Sequence, residues 1–279
     1  MRDCSRPSTE RLKDDAFGLA APHWAAEEAA EGALKFAERG MEALEPFVSD
    51  LTHPLNAENA EHELEERLRG ERWGVLACLL LAAARAHEEY VRLGIPEEVF
   101  ADTMHCFPRF VKEYRALTGE WGFDRGWWAW RATSLRLFRI GALEYELLSG
   151  ERCALSLHIP SDASLDPEAC RSSHETARAF FAAHFSAYQR APVVCESWLL
   201  HPVLRDLLGE ESNIVRFQSL FDIARVDDED PSYRAFVFRR TDGDIADYPE
   251  KTTLQRRLKE HLLQGGRMGS ALGIWKETG

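Results

Sequence analysis

The spacing of apolar residues predicts four helices in the first 120 residues of the chain. In the acidic segment 57–69, for example, Leu64 and Leu68 stand four positions apart, which places both on one narrow face of a helix. The other three segments are also rich in helix-forming residues. The four predicted helices span residues 23–44, 57–69, 72–93 and 96–119. No segment before residue 130 shows the alternation typical of a strand.

The pattern changes at residue 135, where apolar and polar positions begin to alternate. Residues 135–148 read as two strands joined by Gly141-Ala142, a pair suited to a type II′ turn. In this register Phe138 faces Tyr145 on one side of the hairpin, and Arg139 faces Glu144 on the other. A third strand, 153–159, follows and ends at Pro160.

A helix with clear start signals comes next. Asp166 is the expected N-cap, Pro167 occupies the first helical position, and the helix runs to about residue 185. Beyond it the pattern predicts strands at 192–198, 220–226, 234–239 and 271–275, and helices at 202–208 and 253–264. The expected fold class is therefore α+β. An all-helical domain (residues 1–120) would precede a domain with a mixed, mostly antiparallel sheet and flanking helices (residues 121–279).

The charge of the chain argues against two classes of partner. It carries 34 basic and 47 acidic residues, a net charge of -13. Proteins that bind nucleic-acid phosphates or anionic membranes are usually basic, so neither nucleic acid nor membrane is expected as a partner. The acidic excess lies mostly in residues 1–130, which hold 15 basic and 25 acidic residues.

Cysteine usage and hydropathy favour a soluble, cytoplasmic protein. The six cysteines are scattered without a C-x-x-C pair, and the first 15 residues are polar rather than signal-like. The longest uncharged run, Trp73–Ala84, is shorter than the ~20 residues that span a bilayer.

Several kinds of site are excluded by spacing. No two histidines stand three or four residues apart, and neither a G-x-S-x-G elbow nor a phosphate-binding P-loop is present. Asp242-Gly243-Asp244 could open a calcium loop, but position 12 of that frame is Thr253 instead of Glu. No metal is expected.

The order of three strands, a helix, a strand and a short helix resembles the core of GNAT-type acyltransferases. The segments LRLFRIGALEY (135–145), LHIP (157–160), SWLL (197–200), SNIVRF (212–217) and LQRRLKEHLLQGG (254–266) also resemble a bacterial family of acyltransferase domain-containing proteins. These proteins have a helical N-terminal domain and a GNAT-like C-terminal domain, and the resemblance covers residues 70–276. It implies acetyl-CoA or another acyl-CoA as co-substrate, with the thioester between the third and fourth strands.

The resemblance also implies where the cofactor would be held. The CoA pyrophosphate would lie at the helix that follows the third strand, where the hydroxyls of Ser161 and Ser164 could bind it. Ser197 and Trp198, at the end of the fourth strand, would line the thioester cleft. The loop departs from the GNAT pattern, because residues 161–166 contain no glycine and include two aspartates. Ordinary helix capping explains Asp166 and Glu168 and is favoured over a phosphate site.

Three residues are candidates for catalysis, each with a structural alternative. His158, at the end of the third strand, could be a general base or a buried or capping histidine. Glu144 could act as a base or form an ion pair with Arg139. Cys195 could be a nucleophile or a small core residue.

These observations support three hypotheses. The first is an acyl-CoA-dependent N-acyltransferase that acts on a small-molecule or peptide amine. The second is a GNAT-like scaffold without catalysis, acting as a binding or interaction module, which the glycine-free loop favours. The third is a Cys-His hydrolase built on Cys195 and His158. The sequence leaves the acceptor, the acyl chain and the oligomeric state open.

Overall fold

The computed structural model describes residues 27–277. The chain divides into two compact units, and the division falls between Ile140 and Gly141. The domain boundary expected after residue 120 stays a prediction. Within the described residues, no helix is both long enough and apolar enough to cross a membrane.

The first unit consists of helices with one strand at its end. Its core is helix α4, which is rich in Leu and Ala and buries most of its residues. The elements are α1 (Glu27–Ala37), α2 (Glu45–Asp50), α3 (Ala57–Arg67), α4 (Gly74–Arg92), α5 (Glu97–Met104), α6 (Cys106–Thr118), α7 (Gly126–Thr133) and β1 (Leu137–Ile140). The predicted helices 57–69 and 72–93 are confirmed as α3 and α4. The first predicted helix, 23–44, ends already at Ala37, and its residues 23–26 lie outside the described range.

Two further details of the first unit differ from the expectation. The predicted helix 96–119 is two helices, α5 and α6, with His105 between them, and α6 ends at Gly119 in the left-handed conformation (φ +79°). Helix α7 begins at Gly126, in a stretch where the sequence pattern predicted no helix. The strand β1 is an edge strand, and the Thr103 hydroxyl accepts a hydrogen bond from its Arg139 backbone N–H at 3.0 Å. This bond occupies a donor that an edge strand would otherwise expose.

The second unit contains the remaining strands and helices. They are β2 (Leu143–Leu148), β3 (Ala154–His158), α8 (Pro167–His184), β4 (Val193–Ser197), α9 (Val203–Leu208), α10 (Asn213–Gln218), β5 (Phe221–Asp227), α11 (Thr253–Leu263) and β6 (Ser270–Trp275). The turn before β2 has positive φ at Gly141 (+62°) and not at Ala142, as a type II′ turn requires. The six strands have the order β1-β2-β3-β4-β6-β5. Among the neighbouring strand pairs formed by β2 to β6, β3 and β4 run parallel and the others run antiparallel. The sheet is therefore mixed and mostly antiparallel, as predicted.

One predicted strand is wrong. Residues Arg234–Phe238 form a helical turn of π type, and Tyr233, Val237 and Phe238 are buried together. These three positions share one side of a helix, whereas a strand would point Val237 and Phe238 in opposite directions. They complete a second apolar cluster with Leu204, Tyr248, Leu258 and Met268. A short apolar run fits both structures, and this cluster decides in favour of the helix.

Candidate functional site

The candidate site begins where two neighbouring strands separate. Parallel strands β3 and β4 are paired only at Leu155 with Val193 and at Ser156 with Val194. On its other side β3 stays paired with β2 as far as His158, opposite Glu144. Likewise β4 stays paired with β6 as far as Ser197. The sheet therefore opens between the carboxyl ends of β3 and β4, which is the kind of position where open sheets bind ligands.

The two faces of the sheet near this opening differ in chemistry. Tyr145 of β2 lies on the face covered by α8, where its hydroxyl is 3.1 Å from the Ser173 hydroxyl. Side chains alternate along a strand, so Leu157 of β3 shares that apolar face. Glu144, Glu146 and His158 lie on the opposite face. The opening therefore has an apolar side and a side rich in ionisable groups.

His158 is held by a carboxylate that the sequence analysis did not identify. Its Nε2 atom is 3.0 Å from Oε2 of Glu146, which is buried, while the His158 side chain is 23% exposed. Glu144 is buried as well and stands level with His158 in the β2–β3 register. The alternation of β2 offered a signal, because Glu144 and Glu146 are two residues apart and must share a face.

Cys195 has the environment of a core residue. It is 1% exposed, and burial raises the pKa of its thiol to about 12, so the thiol keeps its proton at neutral pH. The β3–β4 register puts Cys195 on the face of Leu157, whereas His158 points to the other face. Burial and orientation both favour the core interpretation of Cys195 over the nucleophile and over the Cys-His hydrolase.

The loop before α8 is already organised by its own hydrogen bonds. As predicted, Asp166 is the N-cap, and its side chain accepts from the Ala169 N–H at 3.0 Å. The Ser164 hydroxyl accepts from the Asp166 N–H at 3.2 Å, and the Ala163 N–H donates to the Pro160 carbonyl at 2.9 Å. Ser161 is exposed in the same loop. Part of the donor set that a phosphate would need is therefore in use.

Ser197 and Trp198 lie at the end of β4, as predicted, and each has a structural contact. The Ser197 hydroxyl accepts from the Leu199 N–H at 3.1 Å and caps the short helical turn that follows the strand. Trp198 is half-buried and packs against the second apolar cluster. Their assignment to the cofactor stays a prediction. No group of three or more His, Cys, Asp or Glu side chains suited to a metal ion occurs within residues 27–277.

Comparison with solved structures shows the same fold throughout the chain. A crystal structure of an acyltransferase mutant in complex with octanoyl-CoA has a TM-score of 0.80 at 22% identity, covering 95% of this chain and 88% of the other. An acyltransferase in complex with CoA and 10C-teicoplanin also has a TM-score of 0.80, at 23% identity, and the match covers 94% of this chain and 88% of the other. An acyltransferase in complex with decanoyl-CoA has a TM-score of 0.71 at 22% identity, and the match covers 96% of this chain and 86% of the other. No curated protein sequence matches the chain.

Two protein families match the sequence itself, one after the other. Residues 11–135 match the N-acyltransferase N-terminal domain, and residues 137–275 match the GNAT-like C-terminal domain. The two matched ranges together span nearly the whole chain and follow the order that the sequence resemblance implied. The chain therefore belongs to the N-acyltransferases that combine this N-terminal domain with a GNAT-like C-terminal domain.

Proposed function

We propose that the protein is an acyl-CoA-dependent N-acyltransferase whose thioester binds at the opening between β3 and β4. The observation that carries this proposal is the loss of pairing between these strands beyond Ser156 and Val194, with His158 at the edge of the opening. The similar structures that hold octanoyl-CoA and decanoyl-CoA support a medium-chain acyl group. One that holds CoA together with 10C-teicoplanin supports a small-molecule acceptor.

In the proposed reaction His158 is the general base. The nitrogen lone pair of the acceptor amine forms a bond to the thioester carbonyl carbon, and the carbon–sulfur bond then breaks. His158 takes the proton that the nitrogen loses, and the departing CoA sulfur leaves as a thiol after it receives a proton. The products are an amide and free CoA. General-base catalysis of this kind contributes about 10²–10⁴-fold in rate.

The phosphate end of the co-substrate fits the structure less closely than the thioester end. The hydroxyls of Ser161 and Ser164 are the proposed contacts, but Ser164 already accepts a hydrogen bond and Asp166 brings a negative charge to the helix start. This conflict is the specific observation that favours the alternative function, a GNAT-like scaffold that binds a partner without catalysis.

Binding and turnover measured together separate the two functions. Isothermal titration with acetyl-, octanoyl- and decanoyl-CoA tests binding, and release of free CoA thiol with teicoplanin and with lysine-containing peptides tests turnover. We expect binding of at least one acyl-CoA, and we expect His158→Gln to reduce turnover by about 10²–10⁴-fold while binding is kept. The control is Glu260→Gln, which changes an exposed carboxylate on α11.

Two results would contradict the proposal. Absence of binding with all three acyl-CoAs would leave the binding module as the better account. Full turnover by His158→Gln would remove His158 from the role of base.

A further inference from the structure

Glu146 is a buried carboxylate that contacts the ring of His158. It is 5% exposed, and its Oε2 atom is 3.0 Å from Nε2 of His158. An ionised carboxylate can only accept a hydrogen bond, so with Glu146 ionised the Nε2 atom carries the proton at this contact. In the neutral imidazole the lone pair then resides on Nδ1.

The strands make this contact a fixed one. Glu146 and His158 belong to neighbouring antiparallel strands, and the β2–β3 ladder pairs Glu146 with Ser156 and Glu144 with His158. The contact between Glu146 and His158 is therefore a diagonal across one face of the sheet, which long side chains can reach. Five consecutive backbone pairs hold this register, so the geometry does not depend on a mobile loop.

Other charged groups on this face also come from neighbouring strands. Glu144 of β2 stands level with His158. Glu196 of β4 would be level with it if the β3–β4 pairing continued, and Glu196 accepts a hydrogen bond of 2.7 Å from Arg225 of β5. On this face the carboxylate of Glu146 lies 3.0 Å from His158, and Glu196 is paired with Arg225.

We infer that Glu146 is a positioning residue that fixes the ring orientation and the tautomer of His158, so that Nδ1 accepts the proton of the acceptor amine. This inference rests on the proposed function for its catalytic consequence. The carboxylate also stabilises the imidazolium that forms when the proton is transferred, because an opposite charge within hydrogen-bond distance favours the charged ring. A histidine held in the wrong tautomer loses most of its value as a base.

Two substitutions separate the hydrogen bond from the charge. In Glu146→Gln the amide oxygen can still accept from Nε2, but the negative charge is lost. In Glu146→Met a side chain of similar length has neither a hydrogen-bond acceptor for Nε2 nor a negative charge. We expect kcat to fall about 10-fold for Glu146→Gln and about 100-fold or more for Glu146→Met, with the affinity for octanoyl-CoA unchanged in both. Glu146→Asp keeps the charge on a shorter side chain, so its kcat should lie between those of the parent and Glu146→Met.

A spectroscopic measurement tests the positioning role itself. Nitrogen-15 NMR of histidine-labelled protein should show His158 with its proton on Nε2 in the parent and in Glu146→Gln. In Glu146→Met the two tautomers should be mixed. Glu260→Gln and the thermal midpoints of all variants control for folding.

The NMR measurement does not need turnover, so it fails independently of the proposed function. If His158 keeps its Nε2 proton fully in Glu146→Met, in a variant that is folded, the positioning role is wrong even if the protein is an acyltransferase. If the tautomer changes as expected but no acyl-CoA is turned over, the positioning role stands and the proposed function is wrong.

Discussion

Both units bury glutamates, and Glu61 and Glu146 have different surroundings. Glu61 on α3 of the helical unit is 4% exposed, and Glu146 on β2 of the sheet unit is 5% exposed. Among the described residues, Oε1 of Glu61 has no hydrogen-bond partner. The carboxylates of Glu65 and Glu58 on the same helix disfavour its ionised form, whereas Arg131 favours it. Glu146 instead has its Oε2 atom 3.0 Å from Nε2 of His158.

The difference shows how a buried carboxyl group can be accommodated in two ways. Burial, reinforced by a hydrogen bond and repulsion from Glu65, raises the pKa of Glu61 to about 8, so this group keeps its proton at neutral pH. Glu146 has a partner that can carry positive charge and that lies at the opening between β3 and β4. The same residue type is therefore structural in one unit and, in our proposal, part of proton transfer in the other.

Glu61→Gln should produce the largest effect on stability. A carboxyl group whose pKa is raised in the folded state costs nothing below its unfolded value of about 4.5, and it destabilises the fold progressively as the pH rises to about 8. We expect the parent to lose on the order of 4 kcal/mol of unfolding free energy across this window. Glu61→Gln should lose much less, since an amide mimics the protonated acid.

Urea unfolding at pH 5 and at pH 8, followed by helix signal, measures this difference. Glu63→Gln is the matched control, because Glu63 is an exposed carboxylate on the same helix. Equal pH dependence in the parent and in Glu61→Gln would show that the two buried glutamates do not differ as described.

His174 on α8 is a buried basic group, and its effect on stability changes with pH in the opposite direction to that of Glu61. Neither ring nitrogen has a partner within hydrogen-bond distance among residues 27–277, and Nε2 lies 3.8 Å from Oε2 of Glu277. The ring stacks on Trp275 with centroids 4.4 Å apart. Burial, with a contribution from Arg178, lowers the pKa of His174 to about 4. Between these two pKa values the unfolded chain binds a proton at His174 and the folded chain does not. The free energy of unfolding therefore falls by about 3 kcal/mol as the pH drops from about 6.5 to 4.

His174→Phe keeps an aromatic ring against Trp275 and removes the titration. We expect the variant to retain its thermal midpoint between pH 6.5 and pH 4.5, where the parent loses stability. His184→Gln, on the same helix, should keep the parental loss. A parental loss in His174→Phe as well would assign the acid sensitivity to other groups.

Gly126→Ala tests how tightly the site of Glu61 is packed. A Cβ atom at this position would lie 2.4 Å from Oε1 of Glu61 and 2.8 Å from Cγ1 of Val75, closer than real side-chain contacts allow. We expect a loss of about 2 kcal/mol in unfolding free energy, because α3 or α7 must shift. Gly150→Ala is the control, since its Cβ would meet nothing nearer than 3.9 Å. Equal stability of the two variants would mean that the Glu61 side chain moves aside freely.

Asp166→Ala should have the smallest effect, because Asp166 is an exposed carboxylate instead of a buried one. Loss of its hydrogen bond to the Ala169 N–H should cost about 1 kcal/mol of stability. The same change removes a negative charge from the helix start, so the affinity for octanoyl-CoA should rise if the phosphates bind there. An unchanged affinity, measured by titration, would place the phosphates elsewhere.

Much of the local structure could be predicted from single segments. The turn at Gly141-Ala142, the N-cap at Asp166 and the end of β3 at His158 follow from the residues themselves, because each depends on a few neighbouring positions. Segment 234–239 could not be assigned in this way. Its apolar run fits a strand, but Tyr233, Val237 and Phe238 fill one cluster only as a helix. Helix α10 was missed because its six residues, capped by Ser212, are too short for a periodic signal.

The candidate site shows the same division between local pattern and tertiary contact. The sequence alone determined that His158 and Glu144 lie on strands of a sheet, that Asp166 caps a helix, and that a helical part precedes a mixed α+β part, since propensity, capping and alternation act over a few residues. Only the tertiary structure decided that β3 and β4 separate, that Glu146 is the partner of His158, that Cys195 belongs to the core, and that Glu61 is buried beside a like charge. The physical reason is that pairing, burial and charge depend on which distant segments come together, and a pattern along the chain does not specify those contacts.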